Sequence, residues 1–129
     1  NNFKKLIKGK INPKILIFGL SFKAESDDLR NSKSLVLYRN IKKIKDLKSE
    51  IFFIDPYIKD LSIINKYNVI SIKKIHKINF DLLIIMNKYR ELKEINFKKI
   101  DGKIKNILDT RNCINETFKN SKLSTIGIY

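Results

Sequence analysis

Cysteine and histidine are nearly absent from this chain, with one of each, tryptophan is absent altogether, and glycine (4) and proline (2) are scarce among its 129 residues. A lone Cys113 closes no internal disulfide, and such sparing use of thiols fits a reducing cytoplasm. A lone His76 assembles no zinc cluster, and neither a Ser-His nor a Cys-His dyad has support in the sequence. His76 lies on a lysine-rich segment and reads as a surface or half-buried side chain. No apolar run approaches the roughly 20 residues that span a bilayer, and no signal-type apolar segment precedes a cleavage site. The expectation is a cytoplasmic protein without a membrane partner. The scarcity of glycine excludes something more specific. Gly19 is the sole glycine in the turn after the first apolar run, so the Gly-x-Gly-x-x-Gly turn of a dinucleotide-binding domain is not there.

Negative charge is also short, since 13 acidic residues face 28 basic ones and leave a formal charge of +15. A basic surface releases counterions from a polyanion, so a basic nucleic-acid-binding protein is one alternative reading. The lysines, however, run singly and in pairs from Lys4 to Lys122, with only four arginines among them. That spread fits a solvated, compositionally biased surface. Isoleucine in short runs is what the chain has in plenty. A hydrophobic share of 43% is too high for a disordered segment, and a chain of this length buries roughly two thirds of its unfolded surface as one domain.

Asn1 to Asn12 carries Phe3, Leu6 and Ile7 at helical spacing, which predicts the end of a helix or a linker over residues 1–13, stopped by Pro13. Lys14 to Leu20 is a continuous apolar run of the kind buried on both faces of a parallel sheet. From Asn31 to about Lys48 the residues Leu35, Leu37, Tyr38, Ile41, Ile44 and Leu47 recur at three and four and predict an amphipathic helix. Glu50 to Ile54 is the second strand, closed by Asp55-Pro56, and the crossover between the two makes them parallel and right-handed. A short helix follows over Ile58 to Tyr67, then a weak strand at Val69 to Ile72 and one or two helical turns before Asn79. Asp81 to Met86 is a second central strand, Tyr89 to Ile100 reads as a helix stopped by Asp101-Gly102, and Asn106 to Asp109 and Lys122 to Tyr129 supply further short strands. The alternation gives an α/β, doubly wound, mostly parallel sheet of five or six strands flanked by helices, Rossmann-like in kind.

The first strand runs into Gly19-Leu20-Ser21-Phe22-Lys23-Ala24-Glu25-Ser26-Asp27-Asp28-Leu29-Arg30-Asn31-Ser32, a loop of mixed charge ending in two good helix N-caps. Ligands of an open parallel sheet sit outside the carboxyl ends of its strands, so Lys23 and Arg30 mark a candidate anion site, with phosphate the favoured anion. Lys23 can place a point charge on a diphosphate and Phe22 an apolar wall beside it. A solvated lysine beside a core phenylalanine is the plain alternative. Asp27 and Asp28 read as residues that order the loop, cap the helix and pair with Arg30. Arg111 follows the strand ending at Asp109 at the same end of the sheet, where its guanidinium can grip a phosphate in bidentate fashion or form a surface pair with Asp109. Asp55 ends the second strand as an acid does in dinucleotide-binding folds.

Gly19-Leu20-Ser21-Phe22-Lys23 with Asp27-Asp28-Leu29-Arg30-Asn31-Ser32 resembles the opening of the C-terminal, nucleotide-sugar-binding domain of the UDP-glucose/GDP-mannose dehydrogenase family. Asp55-Pro56, the run Asp81 to Met86, and Ile107-Leu108-Asp109-Thr110-Arg111-Asn112 fall in the family's order, the last resembling its Asp-Gly-Arg-Asn element with Thr110 in place of glycine. The resemblance implies substrate contacts from Phe22, Lys23 and Arg111, a reach from Arg30 to the cofactor, and residues 14–129 as the UDP-binding domain. It further implies an oxidoreductase that takes a nucleotide sugar to its uronic acid for polysaccharide biosynthesis, with NAD held mainly by an upstream domain that also carries the catalytic cysteine. Cys113 lies in a different motif and is not that cysteine, so no catalytic residue is expected in this piece, which alone would be inactive. The intact enzyme would be a homo-oligomer. Leu29-Arg30-Asn31-Ser32-Lys33 resembles members acting on UDP-N-acetylhexosamines, whereas Gly19 to Ala24 resembles those acting on GDP-mannose; UDP is the larger class and the one chosen.

Overall fold

The computed structural model describes residues 12–21, 26–44, 47–100 and 103–110, apart from the side chains at 97 and 98, together with the backbone of 124–127. The segment expected as an N-terminal helix or linker lies almost wholly outside them. Strand β1 (Lys14–Phe18) leads to helix α1 (Lys33–Lys42), strand β2 (Glu50–Ile54) and helix α2 (Leu61–Tyr67). A 3-10 turn at Ile72–His76 precedes β3 (Phe80–Ile85). A second 3-10 turn at Arg90–Glu94 and the short α3 (Phe97–Ile100) precede β4 (Ile104–Asp109) and β5 (Ser124–Gly127).

The five strands form one sheet in the order β2-β1-β3-β4-β5, and every adjacent pair is parallel. This α/β architecture, with helices on both faces, is the one expected. Burial explains why the strands read as unbroken apolar runs. Ile15, Leu16, Ile17 and Phe18 are all fully buried, yet their side chains alternate between two cores, as a period of two requires. Leu16 and Phe18 join Leu83, Ile85 and Ile107 under the two 3-10 turns and α3. Ile15 and Ile17 join Phe53, Leu82 and Ile84 under α1 and α2.

Most strands and helices differ from expectation by a few residues at their ends, and three of the differences have a local reason. Helix α1 is capped by Ser32, whose hydroxyl accepts from the Leu35 amide; Asn31 lies outside it with φ of 56°. The helix ends at Lys42, although Ile44 and Leu47 still pack on the same core, so the apolar spacing outlasts the helix itself. The helix expected over Tyr89 to Ile100 is broken in two. Ile95 is extended, the Asn96 amide donates to Nε2 of His76 at 2.9 Å, and the Asn96 side chain accepts from the Lys99 amide at 3.3 Å. An asparagine that caps locally competes with helix continuation, while Leu92, Ile95 and Ile100 stay buried and keep the helix-like spacing. The weak strand at Val69 reduces to a single bridge to Phe53 that covers the outer edge of β2.

Candidate functional site

The order β2-β1-β3-β4-β5 has its switch point between β1 and β3, because the chain winds outward from β1 in one direction and returns to the other side for β3. Crevices for ligands open at the carboxyl ends of the strands flanking such a point. Gly19 stands at the end of β1. Its amide donates to Ile54 O at 2.8 Å, and its φ of 108° turns the chain out of the sheet in a conformation that side chains disfavour. The carbonyls of Gly19 and Leu20 accept from the Ser34 and Ser32 hydroxyls at the start of α1. The loop is thereby tied to the helix that follows it.

Asp55, at the end of β2, is buried and receives four donors. Its Oδ2 accepts from the amides of Leu20 and Ser21, each at 3.0 Å, and from the Tyr89 hydroxyl at 3.0 Å. Its Oδ1 accepts from the Tyr57 amide at 3.0 Å. Asn87, just past β3, donates through Nδ2 to Ser21 O at 3.3 Å, and the Ser21 and Tyr89 hydroxyls lie 3.3 Å apart. The Tyr89 ring stacks on Tyr57 at 6.0 Å between centroids and meets Phe18 at 5.4 Å. Buried carboxylates persist only when so satisfied.

Burial pushes the Tyr89 phenol well above its ordinary range, with the neighbouring Asp55 charge acting in the same direction. A phenol that ionises less readily when folded contributes stability that is complete below its unfolded pKa and is lost as pH rises past it. Wild-type stability should therefore fall with pH above about 10, more steeply than that of Tyr89→Phe by up to about 1.4 kcal/mol per pH unit. Urea unfolding of both proteins across that range checks it; equal slopes would contradict it.

Of the side chains singled out from the sequence, Phe22, Lys23 and Arg111 lie outside the described residues, as does Cys113. Arg30 is described, and it forks onto Asp28, with Nε and one terminal nitrogen each 3.0 Å from a carboxylate oxygen. Its side chain is 88% exposed, so this pair adds little to stability and leaves the guanidinium accessible. Asp28 thus serves the loop as expected, although Ser32 and no aspartate caps α1. His76 is half-buried, as expected. Thr110 is tolerated because the described residues with positive φ are Gly19, Asn31 and Asn68; its amide and hydroxyl both donate to Ile85 O. Ser21, Tyr89 and Asn87 were not singled out as site residues. Their shared signal is position, since each follows closely on the end of a parallel strand.

The β1–β2 end of this sheet differs from a dinucleotide site in two respects. The turn after β1 holds one glycine, and the acid at the end of β2, which would accept from a ribose, is occupied by protein donors. Among the described residues no group of three or more His, Cys, Asp or Glu side chains could hold a metal ion, and no helix is long and apolar enough to cross a membrane.

Residues 16–116 match the UDP binding domain of the UDP-glucose/GDP-mannose dehydrogenase family. The chain belongs to that family. It is 32% identical over 100 residues to the UDP-N-acetyl-D-mannosamine dehydrogenase of Campylobacter jejuni, a match that takes in 75% of this chain and 24% of that protein. A UDP-D-ManNAc dehydrogenase from Pyrococcus horikoshii superposes with a TM-score of 0.72 at 24% identity, over 96% of this chain and 28% of that one. The UDP-N-acetyl-mannosamine dehydrogenase Cap5O from Staphylococcus aureus superposes with a TM-score of 0.69 at 24% identity, over 97% and 28% of the respective chains. These two likenesses show the shared fold. The chain spans about a quarter of the length of each of these relatives.

Proposed function

We propose that this chain is the substrate-nucleotide-binding domain of an NAD-dependent UDP-sugar 6-dehydrogenase, and that it takes hold of the diphosphate of a UDP-N-acetylhexosamine. The observation that carries the reading is the fixed turn at Gly19 to Ser21. It stands at the switch point of a parallel sheet, directly before Phe22 and Lys23, within the stretch that matches the family's UDP binding domain. Lys23 and Arg111 supply positive charge to the diphosphate, Phe22 an apolar wall, and the exposed Arg30 a contact with the cofactor across the domain cleft. Residues 1–13 join this domain, residues 14–129, to an upstream one. That upstream domain holds NAD, which accepts hydride from the sugar, and provides the catalytic cysteine, so this domain alone is inert. The intact enzyme is a cytoplasmic homo-oligomer that makes a uronic acid for polysaccharide synthesis. The named relatives, all UDP-N-acetylmannosamine dehydrogenases, favour UDP over GDP.

Lys23→Ala and Arg111→Ala should each weaken UDP binding about 10- to 100-fold, the loss expected when one charged hydrogen-bonding partner is removed. The melting temperature without ligand should be unchanged. Titration calorimetry on the three proteins measures both affinities, and wild-type affinity in both variants would contradict the assignment.

A further inference from the structure

We propose that Asp55 is a positioning residue for nucleotide binding: its carboxylate holds the chain leaving β1 in one conformation at Leu20 and Ser21, directly before the residues proposed to bind the nucleotide. The inference rests on the nucleotide-binding reading above. An acid at the end of β2 is the place where a dinucleotide domain accepts from a ribose. Here the same place has been turned inward. One oxygen of Asp55 takes the consecutive amides of Leu20 and Ser21, which are the last two backbone donors before Phe22 and Lys23. The Tyr89 hydroxyl shares that oxygen, and the Tyr57 amide holds the other. These contacts bridge 34 to 35 residues of sequence, so the hold comes from the tertiary structure. The carbonyl side of the loop is held as well, by Asn87 on Ser21 and by the two serines of α1 on Gly19 and Leu20. Leu20 and Ser21, gripped at both their donors and their acceptors, enter binding already ordered, and the cost of fixing them does not fall on the ligand.

The test uses the 129-residue chain, UDP as the probe, and Asp55→Asn beside the milder Tyr89→Phe, which removes one donor and keeps the ring. Two quantities are read: UDP affinity by calorimetry, and hydrogen exchange at the Leu20 and Ser21 amides relative to Ile17 and Ile84 in the sheet. In Asp55→Asn the loop amides should exchange at least about tenfold faster while the sheet stays protected, and UDP affinity should fall about tenfold or more. Tyr89→Phe should move both readouts in the same direction by less. Unchanged exchange at Leu20 and Ser21, or faster exchange with UDP affinity intact, overturns the proposal. Equal acceleration in loop and sheet also overturns it, because Asp55 would then support the fold as a whole. If the wild-type chain takes up no UDP, the functional reading fails. Faster exchange confined to the two loop amides would then still establish the hold itself.

Discussion

Replacing Gly19 with alanine should lower the unfolding free energy by about 2–6 kcal/mol and weaken nucleotide binding with it. Two separate costs combine. The backbone at Gly19 has φ of 108°, where a residue with a side chain is strained by about 1–3 kcal/mol. A Cβ there would also lie 3.0 Å from Cε2 of Tyr89 and 3.4 Å from Nδ2 of Asn87, and overpacking of this kind costs about 1–3 kcal/mol. Neither neighbour can yield freely. Tyr89 is held by Phe18, Tyr57 and Asp55, and Asn87 by its bond to Ser21 O. The chain can relieve the strain only by turning elsewhere, which moves Leu20 and Ser21 off Asp55. Urea unfolding and UDP titration of the variant read the two effects. A stability change below about 0.5 kcal/mol, the range of an ordinary surface substitution, would contradict this account of the turn.

Phe53→Ala should cost about 3–5 kcal/mol, as large-to-small changes at fully buried aromatic positions do. Phe53 is completely buried on β2, with its ring 5.7 Å from that of Tyr38 on α1 and 6.1 Å from that of Tyr67 on α2. Tyr38 and Tyr67 meet edge-on at 5.6 Å, so removal of the phenyl group takes away the partner that both helices share. The Phe53 backbone also binds outward, its amide to Asn68 O and its carbonyl to the Ile70 amide, which fixes the segment behind the hole and limits collapse into it. Phe53→Leu keeps most of the volume and should cost less than about 1.5 kcal/mol. Against a total stability of about 5–15 kcal/mol for a natural domain, the alanine variant would stand near the edge of folding. Denaturant unfolding of both variants measures the difference, and equal costs would contradict the packing described.

The sheet was legible in the sequence because its strands are buried on both faces. Ile15 to Phe18 and Leu82 to Ile85 carry no polar interruption, and a helix-length pattern lies between them. What the pattern could not separate was helix from successive tight turns. Leu92, Ile95 and Ile100 keep apolar spacing through a break at Ile95 and Asn96, since a buried face constrains where side chains point more than how the backbone carries them. At the candidate site, Gly19 and the loop ending at Ser32 were legible because their residues are contiguous. The cluster around Asp55 was not. Ser21, Asp55 and Tyr89 meet across separations of 34 to 68 residues, and only the parallel direction of β1, β2 and β3 brings their carboxyl ends together.

The central claim is that a Rossmann-like sheet here serves the nucleotide of a substrate and not a dinucleotide. A thermal-shift titration of the chain with UDP, GDP and NAD tests it most directly. UDP at about 100 times its dissociation constant should stabilise the fold by about 2.7 kcal/mol, and NAD should leave the transition where it is. Stabilisation by GDP alone would move the substrate to the GDP-mannose class. Stabilisation by NAD without UDP, or no response to any of the three, would contradict the account.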